Sequence, residues 1–260
     1  MKFLQINLHH SKAAAATLCQ QLAEGKADIA LIQEPWLYKG QIGALTNTGG
    51  TVYSALPSNN ARSCVYIRNH INALPLLELC SRDTTAVRII YPYRGGSKEL
   101  IVASFYLSYN SDEPPPTKEM GDIIDYCCSR KKQLIIGCDA NAHHILWGST
   151  GTNPRGESLM EFLVSVNLNI LNHGNEPTFV VCNRKEVSDL TLGTNSIGNL
   201  TKVPDITGEL DCLIEESQFL KALYISLPSK WYNYRLIGID GKTCSFTPSL
   251  DHVQSSLKML

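Results

Sequence analysis

The sequence predicts an α/β or α+β sandwich, with two β-sheets inside and helices outside. β-rich apolar runs recur from residue 2 to residue 192, and stretches with helical period and end signals lie between some of them. The chain has 260 residues, 43% of them hydrophobic, which is enough for a sizeable core.

Strands are expected near residues 2–6, 28–33, 51–55, 63–68, 85–91, 99–107, 133–138 and 187–192. Three helices fall between them. The first is "SKAAAATLCQQLAEGKA", with Ser11 as N-cap, an Ala-rich interior and Gly25 as its stop. The second, "TKEMGDIIDYCCSRKK", follows the breaker "EPPP", and the third is "RGESLMEFLVSV", which carries a helical apolar period. No internal repeat and no linker precedes residue 194, so residues 1–200 read as one domain. Residues 201–260 form a divergent tail, with weak periodicity and no obvious partner for its aromatics. It reads either as an insertion plus the last strand or as a non-native extension.

Formal charge is near balance at -1, from 23 basic and 24 acidic residues, which excludes polyanion binding through bulk electrostatics. Any contact with nucleic acid must therefore be local. The nine cysteines contain no C-x-x-C pair, and reduced intracellular thiols are the simpler reading. "MKFLQINLHH" is too short a start for a signal sequence, and no apolar run approaches membrane-spanning length. The expectation is an intracellular protein with no membrane anchor.

The chemistry concentrates at strand ends. In "LIIGCDANAHHILWG", residues 134–148, a strand stops and presents Asp139 and Asn141 on one side of an extended segment. Such a pair suits activation of water and the holding of a phosphate oxygen, and it equally suits an Asx-turn. "ALIQEPW" runs a strand into Glu34, an appropriate oxygen ligand for Mg²⁺ or simply a solvated carboxylate. Asn7 ends the first strand, where it is a site residue or a turn residue. Tyr106 ends another and is either core or a hydroxyl donor to a phosphate. Asp189 interrupts an apolar strand and needs a partner if it is buried.

Asn7, "QEP" at 33–35, "SFYLS" at 104–108, "GCDANAHHILWG" at 137–148, "NPRGE" at 153–157, "PTF" at 177–179 and "SDLTL" at 188–192 together resemble the endonuclease/exonuclease/phosphatase family. More narrowly they resemble the apurinic-endonuclease-like endonuclease domains of non-LTR retrotransposons, of the insect R1-type and telomere-inserting kinds. The resemblance implies an α/β four-layered sandwich, two packed β-sheets flanked by helices, and a phosphodiesterase that nicks DNA with Mg²⁺, or Mn²⁺ in its place. It implies a nuclear protein whose reverse transcriptase, normally part of the same polyprotein, is absent from this chain. Glu34 would be the metal ligand, with Asn7 beside it. Asp139 would orient or deprotonate the attacking water, Asn141 would hold the scissile phosphate, Tyr106 would donate to it, and Asp189 would orient a catalytic histidine. His143 and His144 read as packing or hydrogen-bonded residues, Trp147 as packed beneath their loop, and Arg155 as fixing that loop or gripping DNA. Arg130, Lys131 and Lys132 read as a solvated helix end.

The family's closing Ser-Asp-His signature does not follow "SDLTL" at the usual distance. The one Asp-His pair is Asp251-His252 in "TPSLDHVQSSLKML". Either an insertion displaces a degenerate motif and His252 is the catalytic histidine, or the tail is foreign and the match is chance. The weak alternation of the tail favours the second, and with it impaired nicking. The functional readings are accordingly a retroelement endonuclease domain, an inactive remnant of the same fold acting as a binding module, and a relative that cleaves a small phosphate ester or phosphoinositide.

Overall fold

The computed structural model describes residues 1–45, 47–55, 60–93, 96–172, 177–181, 184–194, 234–238 and 243–246. The fold starts with β1 (Lys2–Asn7), α1 (Lys12–Ala23) and β2 (Ile29–Gln33). β1 and β2 are parallel, with Phe3 beside Ile29 and Asn7 beside Gln33. Parallel neighbours need a crossover, which α1 supplies. Ser11 caps α1 by accepting from the Ala14 N–H at 3.3 Å, and Gly25 follows the helix with φ +79°.

A small hairpin, β3 (Leu37–Tyr38) and β4 (Gln41–Ile42), precedes β5 (Gly50–Tyr53) and β6 (Ser63–Arg68). β7 (Asn72–Pro75), β8 (Thr84–Tyr93) and β9 (Gly96–Tyr106) form an antiparallel meander. α2 (Lys118–Ser129) then crosses to β10 (Gln133–Asp139), which runs parallel to β9. α3 (Pro154–Ser165), β11 (Leu168–Ile170), the hairpin β12 (Phe179–Val181) and β13 (Arg184–Glu186), and β14 (Asp189–Thr194) follow. The tail contributes β15 (Tyr234–Gly238) and β16 (Thr243–Phe246).

The first large sheet has the order β16-β15-β1-β2-β6-β5, and the second β11-β14-β10-β9-β8-β7. Their facing sides meet through Phe3, Ile29, Leu31, Val65, Val87 and Val102. Alternate residues point the other way, so Leu4 and Ile32 pack with Leu18 and Leu22 of α1. Met120 and Ile123 of α2 and Leu159 and Leu163 of α3 join the core on the outer side of the second sheet, with Phe105 and Ile136. The result is helix, sheet, sheet, helices, the four-layered α/β sandwich. Strands buried on both faces read as continuous apolar runs, as "FLQIN" and "IALIQ" do.

All eight expected strands and all three helices are present. The additions are short or lie in the tail. β15 lacks legible alternation because its position comes from backbone pairing: it runs antiparallel to β1, from Lys2 beside Gly238 to Ile6 beside Tyr234. The expected pairing of His252 with Asp189 lies outside the described residues. Among those described, no helix is long and apolar enough to cross a membrane.

Candidate active site

Both parallel pairs end at the same edge of the sandwich. Asn7 is paired with Gln33, Tyr106 with Asp139, and Asp139 with Asp189 on the antiparallel neighbour. Crevices outside the carboxyl ends of parallel strands are where α/β folds bind ligands. Here a pocket of about 190 Å³ is lined by Asn7, Glu34, Tyr106, Asp139, Asn141 and Asp189. These are six of the seven residues the sequence singles out, and the seventh, His252, lies outside the described residues. His9, Thr178, Phe179 and Ser188 complete the lining.

Hydrogen bonds lock the buried end of this pocket. Asn7 Nδ2 donates to Asp139 Oδ2 at 2.8 Å, and Asn7 Oδ1 accepts from the His9 N–H at 2.8 Å. The Asn141 N–H donates to Asp139 Oδ1 at 3.2 Å, while Asn141 Nδ2 donates to the Leu107 carbonyl at 3.1 Å and to Asp139 Oδ2 at 3.3 Å. Thr178 Oγ1 accepts from the Ser188 and Asp189 N–H groups at 2.8 and 2.9 Å, fixing the start of β14. Glu34 and Asn141 both have left-handed backbones, φ +46° and +45°. Glu34 pays on the order of 1–3 kcal/mol for such a conformation, which asparagine adopts more readily. The Glu34 backbone is held on both sides, donating to the Arg62 carbonyl and accepting from the His10 N–H, each at 2.8 Å.

The charges are set by burial and by each other. Burial, followed by the carboxylates of Asp189 and Glu34, pushes Asp139 up to about 8. Burial also pushes Glu34 upward, but the His9 hydrogen bond and the His9 and His10 rings outweigh it, leaving Glu34 below the usual carboxylate value. His9 Nδ1 lies 3.2 Å from Glu34 Oε2, and His10 Nε2 lies 3.7 Å from Oε1. Burial, with Glu34 and Asp139 adding to it, pushes the Tyr106 hydroxyl up to about 12, so it stays protonated and able to donate.

Beneath the pocket the two sheets are joined by a polar layer that sequence reading missed. Gln5 Nε2 donates to the Cys138 carbonyl at 3.2 Å, and Gln5 Oε1 accepts from Thr191 Oγ1 at 2.9 Å. Gln33 Nε2 donates to Ser104 Oγ at 2.8 Å and to the Gly137 carbonyl at 3.2 Å. Ser63 Oγ donates to the Ser104 carbonyl at 2.7 Å. Gly137 permits the close approach, since a Cβ there would lie 2.8 Å from Leu31 Cδ1. The signal was available: glutamines within continuous apolar strands need buried partners.

The flanking loop serves the site as support. Trp147 is buried and its Nε1 donates to the Val187 carbonyl at 3.1 Å, with the His144 ring 5.1 Å away. Arg155 Nε donates to the Asn141 carbonyl at 3.0 Å, which fixes the Asn141 loop. Arg130 lies over the Tyr126 ring at 4.2 Å, and Lys132 pairs with Glu99 at 2.5 Å.

The donor set fits a hard, well-hydrated cation. Glu34, Asp139, Asp189 and Asn7 all offer oxygen to one pocket. Among the described residues, no three His, Cys, Asp or Glu side chains close into a cage. A hard cation that takes one or two carboxylates and keeps several waters needs no such cage.

Comparison with known proteins agrees with this geometry. Residues 100–210 match the family described as endonuclease-reverse transcriptase. Over 163 residues, 61% of the chain, it is 29% identical to the RNA-directed DNA polymerase from mobile element jockey of Drosophila melanogaster. The match spans only 16% of that protein's length. The structure resembles the endonuclease domain of TRAS1, a telomere-specific non-LTR retrotransposon. The TM-score is 0.63 at 28% identity, covering 76% of this chain and 87% of that one. The Xenopus laevis APE2 catalytic domain shares the fold, with a TM-score of 0.52 at 16% identity, covering 76% and 84% of the two chains. Fold and site thus define a protein of the endonuclease/exonuclease/phosphatase fold. Within that class the chain is similar to retrotransposon endonuclease domains, among them that of TRAS1.

Proposed function

We propose that the chain is a divalent-metal-dependent phosphodiesterase that nicks DNA. The observation that carries this reading is the convergence of Glu34, Asp139 and Asp189 with Asn7, Asn141 and Tyr106 in one pocket. Three carboxylates facing one pocket repel a phosphodiester, so a phosphate site here calls for a cation. Glu34 would hold it with Asn7 alongside, Mg²⁺ being the suited ion and Mn²⁺ the substitute. When bound, the cation supplies positive charge that neutralises the phosphate and eases ionisation of Asp139.

The chain's own groups do the rest. Asp139, held by Asn7 and Asn141, is a base whose proton affinity is raised toward neutrality, which suits removal of a proton from water. Tyr106 keeps its proton and donates to a phosphate oxygen, and Asn141 positions the scissile group. Asp189 is the carboxylate that would fix the tautomer of His252. The pairing of β15 along β1 supports the reading in which the tail is native to the domain. The name of the jockey relative supports a reverse transcriptase as the partner in a longer polyprotein, and hence nuclear DNA as substrate.

The test is conversion of supercoiled plasmid to open circles in Mg²⁺. Wild type should nick, and Glu34→Gln or Asp139→Asn should lose about 10²–10⁴-fold in rate. Loss of nicking in His252→Ala would assign the displaced histidine. Metal binding without any nicking by the wild type would overturn the enzymatic reading and leave a binding module.

A further inference from the structure

A second pocket, of about 320 Å³, opens beside the first. His10, Trp36, Leu37, Asn60, Arg62 and Arg82 line it. Among the described residues, the lining combines two guanidinium groups with an indole and contains no carboxylate. We infer that this pocket is a nucleotide subsite, which receives a nucleotide of the cleaved strand, its base against Trp36 and its phosphate on Arg82. The inference rests on reading the first pocket as a DNA-cleaving site.

The two pockets share a wall. The Arg62 guanidinium lies over the Tyr106 ring, 4.6 Å from its centroid, and His10 Nε2 is 3.7 Å from Glu34 Oε1. The backbone binds this wall together: the Glu34 N–H donates to the Arg62 carbonyl at 2.8 Å, and the Arg62 N–H donates to the Arg82 carbonyl at 2.7 Å. A strand whose phosphodiester occupies the first pocket therefore has its neighbouring nucleotide at the second.

The two arginines have different roles. Arg62 is half-buried and paired with Asp83 through both its Nε and its Nη2, so its charge is already matched. Arg82 is exposed, and its Nε donates to the Asn60 carbonyl at 3.1 Å. Its terminal nitrogens make no hydrogen bond or ion pair among the described residues, and this leaves a forked donor for a phosphate. Trp36 is held in place by close packing, since a Cβ on Gly43 would come within 2.5 Å of its ring. Lys12 Nζ lies 5.4 Å from the ring centroid, on an exposed side chain that yields to a stacking base. Tyr38 stands 6.2 Å from Trp36 and is 60% exposed, extending the aromatic surface outward. Aromatic faces flanked by cations are the means by which proteins hold unpaired nucleotides.

The test titrates the full chain in EDTA with a short fluorescein-labelled oligothymidylate, with thymidine 5′-monophosphate and with inorganic phosphate. The nucleotide should bind more tightly than phosphate. Arg82→Ala should weaken the oligonucleotide about tenfold and reduce the salt dependence of its affinity by about one phosphate contact. Trp36→Leu should weaken the nucleotide about five- to a hundredfold and leave inorganic phosphate unchanged. These affinities are read without metal and plasmid nicking is read with it, so failure of the catalytic reading is distinct from failure of this one. Because Trp36 packs against the core, the exposed Arg82 provides the variant that folds regardless. Oligonucleotide affinity and salt slope unmoved by Arg82→Ala, or equal binding of phosphate and nucleotide, would overturn the subsite.

Discussion

Asn7 donates from Nδ2 to Asp139 Oδ2 at 2.8 Å, across 132 residues of sequence and between two different sheets. Both residues are buried, at 7% and 6% exposure, so water does not substitute for the bond. The alignment of the two sheets and the alignment of the site are thus one property. Asn7→Ala should lower stability by about 0.5–1.5 kcal/mol, the net contribution of one hydrogen bond, since Asn141 Nδ2 still donates to Asp139 Oδ2 at 3.3 Å. Urea unfolding should show a lower midpoint at an unchanged slope, and nicking should fall about 10²-fold. An unaltered midpoint would show that the bond contributes nothing.

Asp139 links stability to pH. Its folded value near 8 exceeds the unfolded carboxylate value of about 4. Between these limits the folded state holds the extra proton, so the stabilising contribution is full below about pH 4 and is lost as pH rises toward about 8. Without metal, wild-type stability should fall across that window. Asp139→Asn, which cannot titrate, should flatten this part of the profile. Thermal unfolding in EDTA at a series of pH values measures both slopes, and parallel slopes would refute the assignment.

Gly156 sets how closely α3 approaches the site loop. A Cβ there would stand 1.9 Å from the His143 carbonyl oxygen, while the Gly156 N–H donates to the capping Asn153 Oδ1 at 2.8 Å. The obstacle is backbone and has little room to yield. Gly156→Ala should therefore destabilise by about 1–3 kcal/mol or more, despite the higher helix propensity of alanine. Chemical denaturation of the pair decides the sign.

Thiol reactivity should report the layers. Cys128 is exposed on α2, whereas Cys64 and Cys138 are buried and their thiols are pushed far up by desolvation. Under native conditions N-ethylmaleimide should modify Cys128 rapidly and spare Cys64 and Cys138 until urea unfolds the chain. Peptide mapping by mass spectrometry distinguishes the sites, and early labelling of Cys138 would contradict the burial of β10.

The strands, the three helices and their order were legible because apolar periodicity reports which face of an element is buried. Ser11, Gly25 and Pro35 marked ends for equally local reasons. Asn7, Glu34, Tyr106, Asp139 and Asp189 stood out as polar residues at or near the ends of apolar strands, an interruption visible without any knowledge of neighbours. The histidines on Glu34, the glutamine layer beneath the site, the left-handed backbones of Glu34 and Asn141 and the place of β15 were not legible. Each depends on what stands opposite, and what stands opposite is decided by ladder register and by the stacking of one sheet on the other. Local pattern determines that a side chain sits at a strand end and on which face. Only the folded sandwich brings ends separated by 132 residues within hydrogen-bonding reach, because that proximity is set by non-local packing that no short window of sequence encodes.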